Sequence, residues 1–331
     1  MWTGRGGESA CAQGMAMIPL RYLWLTVLAG TLFGNAEPVR AAGCTDLVEG
    51  FNRAVDAGRE REAQQLVDRI AQDAQCGQFQ VPAQRRLAAL RLAAVQSLLA
   101  RGRPSAEFER LLTEAERPEV LWQASATLGE VRFGERRFVH AAMAFDRAIE
   151  IMKNESRTPA PPSKFEIEGL IDRAAQARLL AANVASAESG GFVRTARDQR
   201  DGKLGGIYSP SVRGIVPRAI PVPITFEYAK TTFTNVGEEA ARELLSAIKE
   251  QQPERIMLVG HTDVRGAAET NMKLSHARAE AVAAFLRENG INAVVDTDGK
   301  GASQPIRLND TSGLTQEDIY ALNRRVEWRR D

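Results

Sequence analysis

One change of rhythm constrains this chain more than any other feature. From Thr45 to about Ala187 the apolar residues recur every three to four positions, in segments rich in Ala, Leu, Arg and Glu. That period lines one face of a helix and leaves no alternating strand pattern. Breaks fall at Gly58, Gly77 to Pro82, Gly102 to Pro104, Pro118 and Thr158 to Ser163. After Ala187 the chain turns polar and turn-rich, and from Pro221 short apolar runs alternate with helical patterns. The sequence therefore predicts a multidomain protein, an all-α array over 42–187 and an α/β unit over 221–331. Residues 188–220, with Gly190-Gly191, Gly205-Gly206 and Ser209-Pro210, read as a linker in which Ile207-Tyr208 and Val212 to Ile220 could pack locally.

The N-terminus reads as an export signal covering 1–41. Arg21 precedes an apolar run from Tyr22 to Phe33, and Val39-Arg40-Ala41 supplies a small-residue cleavage site. The run is too short for a spanning helix. Met15 and Met17 offer later starts. No other stretch approaches spanning length, which predicts a soluble or peripheral mature chain. The 43 basic and 42 acidic residues become 40 and 40 once the signal is removed. A balance this close gives no long-range field for nucleic acid or an anionic membrane. Cys11 leaves with the signal. Cys44 and Cys76 then remain, most simply as a disulfide in an oxidising compartment. Ala41-Ala42-Gly43-Cys44 can also be read as a lipidation box, although Glu37 and Arg40 separate it from the apolar core.

Within the helical part, Leu128-Gly129, Gly134, Ala141, Phe145 and Ala148 place small and large residues in a recurring pattern. Small residues let antiparallel helices approach, and Phe145 would fill the gap between successive hairpins. A looser version runs through Phe51, Ala54, Gly58, Ala63, Val67 and Ile70. The segment resembles a degenerate tetratricopeptide-like array, and such stacks present a surface to another protein. An irregular helical bundle acting as a spacer is the alternative, and nothing in these residues names a partner.

In the C-terminal third, strands are expected at Val222–Phe226, Ile256–Val259, Ala293–Asp296 and Arg325–Trp328. Helices are expected at Gly237–Glu250 and Asn271–Asn289, the second stopped by Gly290. On that second helix Leu274, Ala277, Ala281, Val282 and Phe285 read as the apolar stripe, and Arg278 falls inside it. A guanidinium aimed at a packed face needs an acceptor. Asp263 is the nearest candidate, on a loop that Gly260 and Gly266 allow to turn.

Those residues carry a resemblance. Gly260-His261-Thr262-Asp263, Gly266, Asn271, Leu274-Ser275, Arg278-Ala279 and the closing Asn323-Arg324-Arg325-Val326-Glu327 resemble the OmpA-like peptidoglycan-binding domain. The resemblance implies an α/β sandwich, a mixed sheet with helices on one face. It implies a ligand, the diaminopimelate side chain of a cell-wall stem peptide, with Asp263 on its ammonium and Arg278 on its carboxylate. Thr262, Asn271 and Arg324 would add contacts. A lysine-type stem lacks the carboxylate, so discrimination between wall types is expected. Two departures stand out: Ala302 where the family often has an acid, and a longer loop from Asn309 to Asn323. Arg325 reads as structural.

Three function classes compete. The leading one is a non-enzymatic periplasmic adaptor, peripheral to the outer membrane, that binds peptidoglycan and, through its repeats, a protein. An enzyme of wall metabolism is less well supported, because His140, His261 and His276 lack metal-ligand spacing and no nucleophile motif stands near them. No cofactor is implied. A motor or transport subunit would need an ionisable residue in Tyr22–Phe33, which has none.

Overall fold

The computed structural model describes residues 42–101, 106–187, 192–195, 197, 201–308, 311 and 313–330. The export signal read over 1–41 lies outside them. Seven helices come first: α1 (Ala42–Asp56), α2 (Glu60–Gln72), α3 (Gly77–Ala100), α4 (Ala106–Glu116), α5 (Trp122–Gly134), α6 (Phe138–Lys153) and α7 (Lys164–Ala187). The remainder runs β1 (Ala219–Val222), α8 (Asn235–Gln251), β2 (Arg255–Gly260), α9 (Ala268–Glu288), β3 (Val294–Gly299), α10 (Gln316–Asn323) and β4 (Val326–Arg329). An all-α part thus precedes a mixed α/β part. Among the described residues no helix is long and apolar enough to cross a membrane.

Consecutive helices pack as neighbours because each buries one stripe. In α2 the buried residues are Ala63, Val67 and Ile70, spaced as one helix face requires. They form a small core with Phe51 and Leu87, closed by a disulfide between Cys44 and Cys76 (Cα–Cα 5.6 Å). The tightest approach joins α5 and α6. A Cβ on Gly129 would come within 2.5 Å of the Phe145 ring. Phe145 therefore fills space inside its own hairpin, against the glycine of the preceding helix. The turn between these helices takes its left-handed residue at Arg136 (φ 60°) rather than at Gly134.

The connection between the two parts is packed over residues 204–209 and at Val212, with exposed residues on either side. Leu204, Ile207, Tyr208 and Val212 are buried in one core with Phe145 and Leu180 of the helices and with Val222, Leu258 and Trp328 of the sheet. Gln251 Nε2 donates to the Tyr208 carbonyl, and Glu150 accepts from the Gly206 amide. The deepest polar contact in this joint is the ion pair of Arg178 in α7 with Asp146 in α6, both almost fully buried. Arg178 Nη1 also donates to the Val193 carbonyl and lies 3.9 Å from Glu243 of α8. Glu243 in turn accepts from the Thr195 amide and hydroxyl.

The sheet order is β1-β4-β2-β3, with β2 and β3 parallel and β4 antiparallel to both of its neighbours. Ile220, Trp328 and Leu258 lie side by side across it, and all three are buried. They share their core with Leu244 of α8 and Ala279, Val282, Ala283 and Leu286 of α9. The stripe on α9 is therefore offset from the expected one: Leu274, Ala277, Ala281 and Phe285 flank it, half-buried. The first strand also lies earlier than expected, at Ala219–Val222, and as an edge strand it accommodates Pro221. The expected loop between Asn309 and Asn323 contains α10, started by a capping box between Thr315 and Asp318.

Removing one member of a buried ion pair strands the other. Arg178→Met should lower unfolding stability by about 3–5 kcal/mol, read from urea denaturation, since Asp146 and Glu243 lose their common cation.

Candidate functional site

The site forms where β2 ends and the chain turns toward α9. Gly260 is needed there for closeness rather than for turning. A Cβ at this position would lie 1.9 Å from the Ser275 carbonyl oxygen, so α9 rests directly on the end of the strand. Gly266 does supply the turn, with φ 90°. Between them the loop is braced by main-chain bonds: His261 N–H to the Arg325 carbonyl and Thr262 N–H to the Gly301 carbonyl, each 2.9 Å. The Asn271 side chain adds a third brace, its Nδ2 donating to the carbonyls of Arg265 (2.9 Å) and Asp263 (3.3 Å).

This framework buries the Asp263 side chain and points it at two guanidiniums. Arg265 Nη2 donates to Oδ2 at 2.6 Å, and Arg324 Nη1 to the same oxygen at 2.9 Å. The Arg265 amide donates to Oδ1 at 2.9 Å. Burial pushes this carboxyl up, but the hydrogen bonds from Arg265 and Arg324 outweigh it and hold the pKa at about 2.

Arg278 lies apart from that cluster. Its Nε donates to the Lys230 carbonyl at 3.2 Å, and its guanidinium lies over the Phe226 ring, 4.9 Å from the centroid. Burial and the neighbouring Arg324 lower its pKa to about 10, partly offset by Asp263, so it remains charged at neutral pH. Among the described residues no salt bridge joins Arg278 to Asp263 or to any other carboxylate, and its two terminal nitrogens have no hydrogen-bond partner there and are open to solvent. A buried guanidinium without a carboxylate partner is a costly arrangement unless an anion completes it.

The residues expected at the site thus take different parts. Asp263 and Arg278 face the same region, close enough for their charges to interact, without bonding each other. Thr262 contributes its main chain, while its buried hydroxyl has no partner. Asn271 is spent on holding the loop. Arg324 is shared among Asp263, Glu317 (3.0 Å) and Asn183 of α7 (3.3 Å). Arg325 is buried on Glu327, at 2.6 Å, and its role is internal. His261 lies beside Glu327 at 3.4 Å and is held in its neutral form chiefly by burial.

Reading the sequence missed Arg265 and Tyr320, and took in Glu317 only as part of the longer loop from Asn309 to Asn323, which could reshape the cleft rim. Arg265 reaches Glu317 at 3.2 Å and stacks over Tyr320 at 4.5 Å. The only signal for Arg265 was its place two residues after Asp263, where a loop amide and side chain can both turn back on a carboxylate. Glu317 and Tyr320 come from α10, which Arg136 of the α5–α6 turn grips through a two-pronged pair with Asp318 at 2.5 and 2.9 Å.

Comparison with known proteins covers the residues that build this region. The OmpA family model matches residues 225–317. These residues form an OmpA-family domain. Over 109 residues the chain is 32% identical to "Probable lipoprotein YiaD" of Escherichia coli (strain K12), covering 33% of this chain and 48% of that protein. Over 103 residues it is 36% identical to "Outer membrane protein A" of Bordetella avium, covering 31% of this chain and 50% of that one. The chain thus spans about half the length of these two relatives. Among solved structures, the OmpA-like domain of FopA1 from Francisella tularensis subsp. tularensis SCHU S4 aligns over 33% of this chain and 69% of that chain, at 26% identity and TM-score 0.27. The family match begins after β1 and ends before β4, so the domain's outer strand and closing strand lie beyond it.

The depressed pKa of Asp263 fixes a sign. Folding keeps this carboxylate charged, so its stabilisation is complete above the ordinary aspartate pKa and is lost as pH falls from about 4 through about 2. Carboxyl NMR titration should place Asp263 near 2 in the wild type and closer to 4 in Arg265→Ala.

Proposed function

We propose that this chain is a non-enzymatic adaptor of the cell envelope that binds the diaminopimelate group of peptidoglycan stem peptides. Arg278 takes the side-chain carboxylate of that group and Asp263 its ammonium. The observation that carries this reading is Arg278 itself: buried, charged, and without a carboxylate among the described residues. An aspartate and an arginine that share a cleft but not a bond are complementary to a zwitterion, and charge-assisted hydrogen bonds are the strong kind. The OmpA-family match over this loop and helix supports the same ligand. Thr262, Asn271 and Arg324 then act mainly as the frame that aims the pair.

The helices before the sheet hold a protein partner, and the chain works in the periplasm, peripheral to the outer membrane. Individual stem-peptide contacts need not be tight, because a wall polymer offers many at high local concentration. Catalysis has little support: His261, the histidine nearest the site, is buried and neutral.

Co-sedimentation of the whole chain with diaminopimelate-type sacculi tests the reading. The whole chain is the proper sample, because the sheet shares its core with the helices. Wild type should pellet with the sacculi. Arg278→Ala should weaken the interaction at least about tenfold, the scale of a lost charge-assisted bond, and Asp263→Ala should weaken it by a smaller factor. Sedimentation unchanged in both variants would refute the site, and release of soluble muropeptides would refute the non-enzymatic reading.

A further inference from the structure

Asp263 is already held by two arginines in this structure, and those two differ. Arg324 is three-quarters buried and tied to Asn183 and Glu317 as well. Arg265 has a half-exposed side chain and carries its own alternative contacts, Glu317 Oε2 at 3.2 Å and the face of Tyr320 at 4.5 Å. It can therefore leave Asp263 without losing every partner. Glu317 and Tyr320 both lie on α10, which Arg136 and Asp318 fasten to the helical part, so these alternative contacts are fixed in place.

We propose that Arg265 is an internal competitor for Asp263, standing where a ligand ammonium must bind and withdrawing onto Glu317 and Tyr320 when one does. The proposal rests on the wall-binding reading and deepens it. Ligand binding at Asp263 then exchanges one cation for another on a single carboxylate, and the Coulomb gain there largely cancels. Net affinity comes instead from the second contact, a carboxylate on Arg278. A bare amine gains little from such a site, whereas a zwitterion also gains a carboxylate contact that nothing among the described residues supplies to Arg278. Arg265 thus sets the threshold of binding, and Arg278 sets the choice between ligands.

Because the cost of displacing Arg265 is the same for any ammonium, the two roles separate cleanly. Isothermal titration of the full chain would use two uncrosslinked disaccharide tripeptides, one ending in diaminopimelate and the other in lysine. Arg265→Ala should tighten both by about two- to fivefold, the range expected for a partly exposed pair, and leave their ratio unchanged. Arg265→Gln, which keeps a polar side chain, should do the same. Glu317→Gln should weaken binding in the wild-type background and lose that effect in the Arg265→Ala background, a coupling that a purely structural arginine would not produce. Wild-type binding that Arg265→Ala leaves unchanged or weakens would overturn the competitor role alone. Failure of both wild type and Arg265→Ala to bind either peptide would overturn the wall-binding reading beneath it.

Discussion

The pairing of Arg178 with Asp146 is the interaction on which the rest of the architecture depends. Both charges are almost fully buried, so neither is tolerable without the other. Their contact fixes α6 against α7, and the same guanidinium reaches toward Glu243 of α8 and holds the Val193 carbonyl. Helices, connecting segment and sheet therefore meet at one desolvated point. The apolar core around it runs without interruption from Trp122 to Trp328. A chain that changes secondary-structure class halfway along nonetheless buries one common core across the change.

That joint has a consequence for the site. Because α7 and the α5–α6 turn are set against the sheet, Asn183 can reach Arg324 and Arg136 can hold Asp318. The rim of the OmpA-family domain is thereby held from the helical part. Within the rim the charges divide unevenly. Asp263 has more cations than it needs, while Arg278 has a carbonyl and an aromatic face but no carboxylate. The unequal division is what supports the proposed ligand site over a salt bridge that merely closes the fold.

Much of this was legible in the sequence, for identifiable reasons. The α/β part announced itself because glycine, aspartate and arginine stand at fixed spacings around one loop, and Arg278 breaks an apolar stripe. The helical part was legible as helices because a 3.6-residue period survives any sequence irregularity. What stayed hidden depends on contacts distant along the chain. The sequence places the first strand at Val222–Phe226, yet it lies at Ala219–Val222, where its register with β4 is set from the other end of the chain. The longer loop before Asn323 showed its length but not its helix, because only a short capping box marks the start. Little in the sequence marked Arg265, since its partners Glu317 and Tyr320 lie more than fifty positions away. The connection was half legible: local packing of Ile207-Tyr208 and Val212 could be read, but not that they join the core shared by helices and sheet.

The central claim is that Arg278 exists to receive a carboxylate that only one class of stem peptide carries. Equilibrium dialysis of the full chain against labelled diaminopimelate-type and lysine-type sacculus fragments of equal length measures that directly. The account predicts a preference of about tenfold or more for the diaminopimelate fragments, set by one charge-assisted contact. Equal retention of the two fragments would contradict it.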